Sequence, residues 1–412
     1  MYLLYSSRAT LCLFVLCCIS SVTFLRAETP NEPQLQSLID VKLLPPPRYD
    51  LGGVLAILPN SELITLRASI NDPLPKLYRV NLLEAKLYWQ TDHGTLYEDH
   101  SAMQRLDNLW APPASSETST ITITYEAKYT TVSSKPAQFV VRKSASLKIL
   151  SPTSPAEFRN GYINGYNIGE YPNPFDPNIF QRLNVEESNY PREHPEKYAP
   201  PSVFYKITKE NIELLVSPHL KLRFFTIDFP WKSLGMPQYI ALDLHLIQKL
   251  EDLLALLRES NLKVTTFKPI YGFRPPSFNL GTIQTHSFNL KAPFSMHQFG
   301  KAVDLIVDED GNDVIDDLNG DGRIDMYDPA ELVKYVNVLD RRYVREGKMD
   351  SVGGAGIYKE HDFLERPKQS PYLHIDVRGF LNDAGNPVRW PAAYPNGDVI
   401  PWAKLMPAQL NP

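Results

Sequence analysis

Cysteine is nearly absent from this chain. The 412 residues contain only Cys12, Cys17 and Cys18, all within an N-terminal apolar stretch. If that stretch is removed on export, the remaining chain has no disulfide and no thiolate metal ligand. Any metal must then be bound by histidine, carboxylate or carbonyl groups. Lipidation at Cys17 or Cys18 stays open, although the preceding Val15-Leu16 is a poor signal for it.

Long apolar runs are also scarce. The only marked one extends from about Ala9 to Phe24, follows Arg8 and precedes an imperfect small-residue cleavage site at Leu25-Arg-Ala27. It is short for a membrane-spanning helix, which predicts that residues 1–27 are a secretory signal peptide. A retained N-terminal anchor is the alternative. The sequence therefore predicts an exported protein, periplasmic or associated with the cell envelope, with no stable membrane span in the mature chain.

The chain has no excess of basic residues. It contains 42 Lys and Arg against 47 Asp and Glu, which gives a net charge of -5. This balance argues against a polyanion-binding surface, so no nucleic-acid partner is predicted. Proline, in contrast, is abundant at 36 residues and clusters at 45–47 and between 172 and 201. This distribution predicts long ordered loops or linkers in a chain of two or three domains.

Residues 35–150 show an all-β pattern. Four stretches alternate in polarity or are rich in β-branched and aromatic residues: Leu63–Ile70, Ala85–Trp89, Ser119–Tyr125 and Ala137–Val141. Turn-forming residues separate them, and several short strands at this spacing predict a sandwich. The order of Trp89 and Gly94-Thr-Leu96 resembles the Ig-like modules of bacterial surface proteins, at the level of fold only. We interpret this domain as a spacer or docking module.

Residues 151–216 form a connecting segment rich in Pro and Tyr. Its stretch 161–172 contains too many glycines for a helix interior. We expect the segment to wrap the domain that follows. Its tyrosines either line a groove for a glycan or peptide or simply pack, and the pattern favours packing.

A helical pattern begins after Pro237. The apolar residues at helical spacing are Leu246, Ile247, Leu250, Leu253, Leu254 and Leu257. They predict one buried helix face with charged residues opposite. The next run, Leu262–Phe267, is predicted to be a strand that leads to the loop of Arg274.

The most informative stretch is Ser295-Met-His-Gln-Phe-Gly-Lys-Ala-Val-Asp-Leu305. It places His297 and Asp304 seven residues apart. Gly300 and the β-branched Val303 favour a turn that runs into a strand over a continuous helix. In that geometry the imidazole and the carboxylate can face one ion, and such N and O ligands suit Zn²⁺.

A catalytic zinc needs a third protein ligand and an open position. The candidate is His374, in Tyr372-Leu-His-Ile-Asp-Val-Arg378, whose alternating pattern predicts a strand. Asp376 lies two residues further on and therefore points to the same side of that strand. It is predicted either to orient a metal ligand or to carry a proton.

These motifs resemble the zinc peptidases of the D-Ala-D-Ala carboxypeptidase and murein endopeptidase type, whose fold the hedgehog signalling domain shares. Tyr271-Gly-Phe-Arg-Pro-Pro-Ser-Phe-Asn279 is similar to the family's Gly-Tyr-Arg-Ser-Pro-x-x-Asn segment, and Gly353-Gly-Ala-Gly-Ile-Tyr358 is similar to the Gly-Gly-Val-Gly-x-Tyr turn of one bacterial branch. The resemblance covers roughly Ser217 to Trp390, with four motifs in order. It implies an α+β zinc peptidase domain at 217–405, preceded by the Ig-like sandwich.

The resemblance also implies roles for individual residues. His297, Asp304 and His374 would be the zinc ligands, and Arg274 would bind substrate. Independently, a guanidinium on a loop stiffened by two prolines is suited to a carboxylate or an oxyanion. The implied activity is that of an exported zinc metallopeptidase, a hydrolase that cleaves D-amino-acid-containing bonds in peptidoglycan stem peptides as a carboxypeptidase or an endopeptidase.

The chain departs from the best-understood carboxypeptidases of this family at Pro371. They carry a general-base Glu or Asp there, three residues before the last histidine. The candidate bases in this chain are Asp376, Glu365 and Asp362, in that order. The missing acid keeps an alternative function open, a non-catalytic zinc- and calcium-binding module of the cell wall or cell surface on the same fold.

An insertion at residues 308–328 carries an EF-hand-like calcium signal. The oxygen donors predicted at alternate loop positions are Asp317, Asn319, Asp321, the Arg323 carbonyl and Asp325, and Asp328 follows at position twelve. With Gly322 at the sharp turn, they predict one structural Ca²⁺. The preceding Asp308–Asp313 is a degenerate copy without glycine at position six, and a second site there is left open. Pro329 is predicted to start a helix that Asp328 caps.

Overall fold

A computed structural model of the chain describes residues 32–46, 50–97, 106–176, 178–179, 189–227, 235–260, 262, 264–279, 292–358 and 370–390. The predicted signal peptide and the candidate bases Asp362 and Glu365 lie outside these residues. Across the described ranges, none of the helices combines the length and the apolar character needed to cross a membrane.

The N-terminal part of the chain forms two four-stranded sheets. Their strands are β1 (Asp40–Leu44), β2 (Leu55–Ile57), β3 (Ile64–Asn71), β4 (Val80–Thr91), β5 (Thr95–Leu96), β6 (Asp107–Ala111), β7 (Thr118–Thr131) and β8 (Gln138–Leu150). One sheet has the order β1-β3-β6-β5 and the other the order β2-β8-β7-β4. Two short helices, α1 (Glu32–Leu38) and α2 (Leu74–Leu77), accompany them. All four strands predicted in this region are confirmed.

Both sheets bury side chains in one core. Leu66 and Trp110 come from the first sheet and Ile121 and Tyr129 from the second, and none of the four is measurably exposed. Along β7 every second side chain is buried, as a strand with one face toward a core requires.

This β unit is built onto the rest of the molecule. Leu55, Ile57 and Leu150 belong to the hydrophobic core formed by later residues. The Leu215 carbonyl accepts hydrogen bonds from the N–H groups of Val54 and Leu55 at 2.8 and 2.9 Å. β2 and the end of β8 therefore lie against the segment that follows the sandwich.

The connecting segment contains short elements that pack on the second unit. They are β9 (Phe158–Arg159), β10 (Tyr162–Ile163), β11 (Tyr166–Asn167), α3 (Tyr190–Glu193) and β12 (Tyr205–Ile207), which pairs with β13 (Gln238–Ile240). The rings of Tyr171 and Tyr198 lie 5.5 and 5.8 Å from that of Phe299. For these two tyrosines the packing interpretation is confirmed, and Tyr162 is 49 % exposed.

Two long helices cover the second unit, α4 (Leu244–Glu259) and α5 (Tyr327–Glu346). The predicted apolar stripe of α4 is confirmed, since all six residues are buried. The helix begins later than the pattern indicated. Asp243 is its N-cap residue, and the Asp243 carboxylate accepts a hydrogen bond from the His245 N–H. The predicted start of α5 at Pro329 was wrong, since the helix begins two residues earlier, at Tyr327. Asp328 lies within its first turn and does not cap it, because Tyr327 already has helical geometry.

The strand predicted at Leu262–Phe267 was also wrong. The described residues of this stretch form no strand, although Val264 and Phe267 are buried. The Thr265 N–H donates to the carboxylate of Glu309, so a side chain takes the hydrogen bond that a neighbouring strand would take. Buried apolar residues do not by themselves require a strand, because an irregular segment can bury them too.

The second unit is organised on a five-stranded sheet. Its strands are β14 (Lys268–Tyr271), β15 (Ala302–Ile306), β16 (Ala355–Tyr358), β17 (Tyr372–Asp376) and β18 (Arg389–Trp390), in the order β14-β15-β17-β16-β18. β16 and β18 are parallel and the other neighbours antiparallel. One row of paired residues crosses all five strands: Tyr271, Asp304, His374, Gly356 and Trp390. Directly paired residues project from the same face of a sheet, so this row defines a site.

Candidate metal centre

His297 reaches this row from a tight turn. Met296–Phe299 is a 3₁₀ turn that ends at Gly300, whose φ is 67°, and β15 follows. The predicted turn running into a strand is therefore confirmed. A Cβ on Gly300 would lie 2.3 Å from the carbonyl carbon and oxygen of Ala241, so only glycine satisfies both the backbone angle and the close approach.

Gly300→Ala is expected to destabilise the fold by about 2–5 kcal/mol, the sum of left-handed strain and overpacking. Gly347→Ala is the matched control. Gly347 has a similar φ of 71° but open space around its Cβ position, so strain alone applies, about 1–2 kcal/mol. Urea unfolding of both variants measures the difference. Equal losses would show that the approach of Ala241 does not constrain this turn.

Three ligand atoms converge at the site. His297 Nε2 lies 3.1 Å from Asp304 Oδ1 and 3.1 Å from His374 Nδ1, and His374 Nδ1 lies 2.8 Å from Asp304 Oδ1. Ligand atoms on a tetrahedral zinc with bonds of about 2.0–2.1 Å are about 3.3–3.4 Å apart. The observed triangle is a few tenths of an ångström smaller, so small shifts would admit the ion.

The hydrogen bonds of the two outward ring nitrogens determine whether the inward nitrogens of His297 and His374 are donors or acceptors. His297 Nδ1 lies 2.7 Å from the Gly272 carbonyl and His374 Nε2 lies 3.2 Å from Asp376 Oδ2. Carbonyl and carboxylate oxygens only accept, so those two nitrogens carry the protons of the neutral rings. The two facing nitrogens and Asp304 Oδ1 are then all acceptors. With both rings neutral, the three converging lone pairs repel one another unless a cation, either a proton on His374 or a metal ion, lies between them.

The environment gives these groups different charges. Burial, followed by the charge of Arg274, lowers the pKa of His297 to about 4, so this imidazole is neutral at neutral pH. Burial alone would raise the pKa of Asp304, but the two imidazoles hold it well below its usual value. Burial opposes a charge on His374 too, yet the carboxylates of Asp304 and Asp376 raise its pKa on balance. A cation is therefore favoured beside Asp304.

Asp376 lies behind His374, on the side away from the centre. Its carboxylate also accepts hydrogen bonds from the Arg378 guanidinium and the Gly354 N–H, and it is fully buried. The Arg378 charge overcomes burial and holds the pKa of Asp376 well below its usual value. This arrangement fits the orienting role predicted for Asp376.

The glycine-rich turn makes room for a wall of the site. A Cβ on Gly356 would lie 2.1 Å from Trp390 Nε1, so the indole occupies the space of the missing side chain. The Trp390 ring lies 5.2 Å from that of His374 and Nε1 donates to Tyr358 Oη at 2.9 Å. Arg378 stacks on the same indole at 4.9 Å. Sequence reasoning missed Trp390 and Arg378, because no local pattern marks residues that reach the site through sheet register.

Arg274 lies next to the candidate metal ligands. Its backbone N–H donates to the His297 carbonyl at 3.2 Å, and Nη2 of its guanidinium donates to Ser295 Oγ at 3.1 Å. The residue is only 8 % exposed, and its Nε has no hydrogen-bond partner among the residues that the structure describes. A buried guanidinium N–H without an acceptor is costly, and an anionic ligand would supply the missing acceptor.

The predicted calcium loop has a folded backbone held by its own side chains. Asp317 accepts from the N–H groups of Gly320 and Gly322 at 2.8 and 2.7 Å, and Asp328 accepts from those of Leu318 and Asp325 at 2.9 and 2.8 Å. Asn319 and Asp321 each accept from the amide two residues on. Among the described residues, the loop's acids do not form a group of three whose oxygens lie within 4.8 Å of one another.

The preceding segment repeats this geometry nine residues earlier. Asp308, Asp310 and Asp316 do form such a convergent group. Gly311 and Asp313 have φ values of 73° and 68°, which match 73° and 80° at Gly320 and Gly322. Asp313 thus takes the turn conformation of the absent glycine. The Lys268 ammonium already pairs with Asp308 and Asp313, so a cation of the chain itself lies in this copy.

Comparison of the chain with protein-family models, with curated proteins and with solved structures finds no match.

Proposed function

We propose that this chain is an exported zinc-dependent peptidase that cleaves D-amino-acid-containing bonds in peptidoglycan stem peptides. The observation that carries the proposal is the convergence of His297 Nε2, Asp304 Oδ1 and His374 Nδ1, which lie 2.8–3.1 Å from one another. Three protein ligands of this kind leave the fourth position that a catalytic zinc requires. Bound zinc supplies a water of lowered pKa and polarises the scissile carbonyl.

The chain's own residues supply binding and orientation. Arg274 offers its Nε–H, which has no acceptor among the described residues, to a substrate carboxylate or to the oxyanion. Asp376 keeps the His374 proton on Nε2 and so directs the Nδ1 lone pair toward the centre. The choice of stem peptides rests on the resemblance of residues 217–390 to the carboxypeptidase and endopeptidase family, together with this carboxylate-seeking arginine.

The proton acceptor is proposed to come from the stretch between β16 and β17. The Asp376 carboxylate is taken up by Arg378, Gly354 and His374, which supports an orienting role. Glu365 and Asp362 then stand as the candidate bases. The stretch that contains them joins Tyr358 to Tyr372. These two residues are paired across the strands, two residue pairs from the His374 row and therefore on the same face.

The test uses the purified, zinc-loaded chain and muropeptides of known composition. We expect loss of a terminal amino acid or cleavage of a crosslink, detected by mass spectrometry. The reaction should stop with a chelator and resume when zinc is restored. His297→Ala is the matched control for contaminating hydrolases, since it removes one ligand. Unchanged muropeptides with a zinc-loaded enzyme would overturn the peptidase proposal.

A second candidate is a binding module without catalysis. The observations in its favour are Pro371 at the family's acid position and the engagement of Asp376 by three partners. This module would bind zinc and retain muropeptides without cleaving them. Co-sedimentation with peptidoglycan, combined with unchanged muropeptides in the assay above, would favour it over the enzyme.

We also propose that the loop 317–328 binds one structural Ca²⁺. Its neighbour Ile315 is buried beside Tyr372 and its N–H donates to Ser370 Oγ at 2.8 Å, so the insertion is anchored at the start of β17. Asp328 is fully buried, and burial together with the nearby Asp317 raises its pKa. A divalent cation would compensate this concentration of carboxylates.

Asp321→Ala is expected to weaken calcium binding and to lower the melting temperature only when calcium is present. Binding to the folded state alone adds about 2.7 kcal/mol at a hundredfold excess of ligand over its Kd. Differential scanning fluorimetry with calcium and with a calcium-selective chelator measures the effect. Asp383→Ala, at an exposed turn, is the control. Identical wild-type melting in both conditions would refute the calcium site.

A further inference from the structure

A cluster of ionised side chains lies beneath the metal centre and takes no part in the functions above. Lys249 on α4, Asp340 on α5 and Arg389 on β18 meet there, with at most 2 % of any of these side chains exposed. Lys249 Nζ lies 2.7 Å from Asp340 Oδ1, and the Arg389 guanidinium binds Oδ2. Buried ions of this kind are weak evidence for stability, since apolar replacements are often at least as stable.

One further donor of the cluster, Arg389 Nε, contacts α5, where it donates to Asn337 Oδ1 at 2.8 Å. The others reach backbone carbonyls near Asp376. Lys249 Nζ donates to the Asp376 carbonyl at 3.1 Å. Arg389 Nη1 donates to the carbonyls of Gly353 and Val388 at 2.7 and 2.9 Å. Lys249 and Arg389 share the single carboxylate of Asp340. Both therefore have N–H donors available for backbone carbonyls, Lys249 for that of Asp376 and Arg389 for that of Gly353.

The two backbone segments they hold are in direct contact. A Cβ on Gly353 would lie 1.7 Å from the Asp376 carbonyl oxygen, so the Gly353–Gly354 peptide lies flat on β17. Asp376 N donates to the Gly354 carbonyl at 3.0 Å, and Gly354 N donates back to the Asp376 carboxylate. A shift of either segment would move the carboxylate that orients His374.

We propose that Lys249 and Arg389 are positioning residues of the metal centre, which act through the Asp376 and Gly353 backbone on the His374 imidazole. The inference rests on the proposed zinc site. A merely structural cluster would affect stability alone. A positioning cluster also sets how tightly the metal binds and how symmetric its coordination is.

The principal variant is Lys249→Met. It removes the ammonium but keeps a long side chain and leaves Asp340 and Arg389 as a neutral pair, so no buried charge is left alone. The measurements are the zinc Kd, by competition with a chelating dye, and the visible spectrum of the cobalt-substituted protein. Both are made at a temperature where the variant is folded. We expect about tenfold to hundredfold weaker zinc binding and an altered cobalt spectrum.

Tyr343→Phe is the matched control. Its hydroxyl donates to Asp252 at 2.7 Å, a partly buried contact between α4 and α5. Among the described residues, that hydroxyl has no hydrogen bond to Asp376 or Gly353. This variant should lose stability with the zinc Kd and the cobalt spectrum unchanged. Arg389→Lys is the second test, since it keeps the charge beside Asp340 but loses the guanidinium fork that binds the carbonyls. It decides the question alone if Lys249→Met does not fold.

Each outcome has a definite meaning. Wild-type zinc affinity and cobalt spectrum in folded Lys249→Met or, failing that, in Arg389→Lys would overturn the inference while leaving the proposed function intact. A wild-type protein that binds neither zinc nor cobalt would overturn the proposed metal centre itself.

Discussion

His374→Ala is expected to abolish stoichiometric zinc and peptidase activity together. The substitution removes one of only three protein ligands, and with it the imidazole that Asp376 orients. The loss of affinity should exceed the about 10–100-fold that removal of an outer-shell partner costs. Zinc is measured by elemental analysis of the dialysed protein. Zinc addition should raise the melting temperature of the wild-type protein, since a thousandfold excess over Kd adds about 4.1 kcal/mol to the free energy of unfolding. The variant should not respond.

His245→Ala provides the control for this experiment. His245 is a half-exposed histidine at the start of α4 that pairs with Asp243 and has no contact with the centre. It should retain full zinc and activity. A His374→Ala protein that keeps one zinc per chain would show that the ion, if bound, uses other ligands.

Arg274→Lys is expected to lower turnover by about 10²–10³-fold with zinc content unchanged, the magnitude associated with loss of one oxyanion donor. Lysine keeps the positive charge but not the planar guanidinium, whose Nε–H has no acceptor in the described part of the chain. The backbone N–H of residue 274 still reaches the His297 carbonyl, so the metal ligands stay in place.

The comparison variant is Arg342→Lys, a substitution of the same kind at a 42 % exposed arginine on α5. It should leave turnover and zinc content at wild-type values. Kinetic constants are compared on one muropeptide, with zinc measured in the same preparations. Turnover equal to wild type in Arg274→Lys would assign Arg274 a structural role through Ser295 Oγ.

Local pattern was sufficient for much of the chain. The alternation of polar and apolar residues located the strands of the sandwich, and the leucine stripe located α4, because side chains alternate in a strand and repeat at helical spacing on one face. Gly300 between His297 and Asp304 indicated a turn before a strand, since a left-handed residue ends the turn. The three metal-ligand candidates were all found this way.

Local pattern failed where long-range partners decide the structure. The run Leu262–Phe267 has the apolar and β-branched residues of a strand, but the Glu309 carboxylate accepts from the Thr265 N–H, and the described residues of the run form no ladder. Asp376 ranked first among the candidate bases from its position alone. The hydrogen bonds that its carboxylate accepts from Arg378 and Gly354 depend on the fold and could not be read from the sequence.

The sequence by itself determined which residues carry metal-binding and anion-binding groups, which turns need glycine, and which faces of helices and strands are apolar. Only the tertiary structure decided that Asp304 and His374, 70 residues apart, are paired across adjacent strands, with Gly356 and Trp390 in the same row. It alone brought Lys249, Asp340 and Arg389 beneath them. The reason is physical. Backbone propensity and polarity act within a few residues, whereas register and burial depend on contacts between segments far apart in the chain.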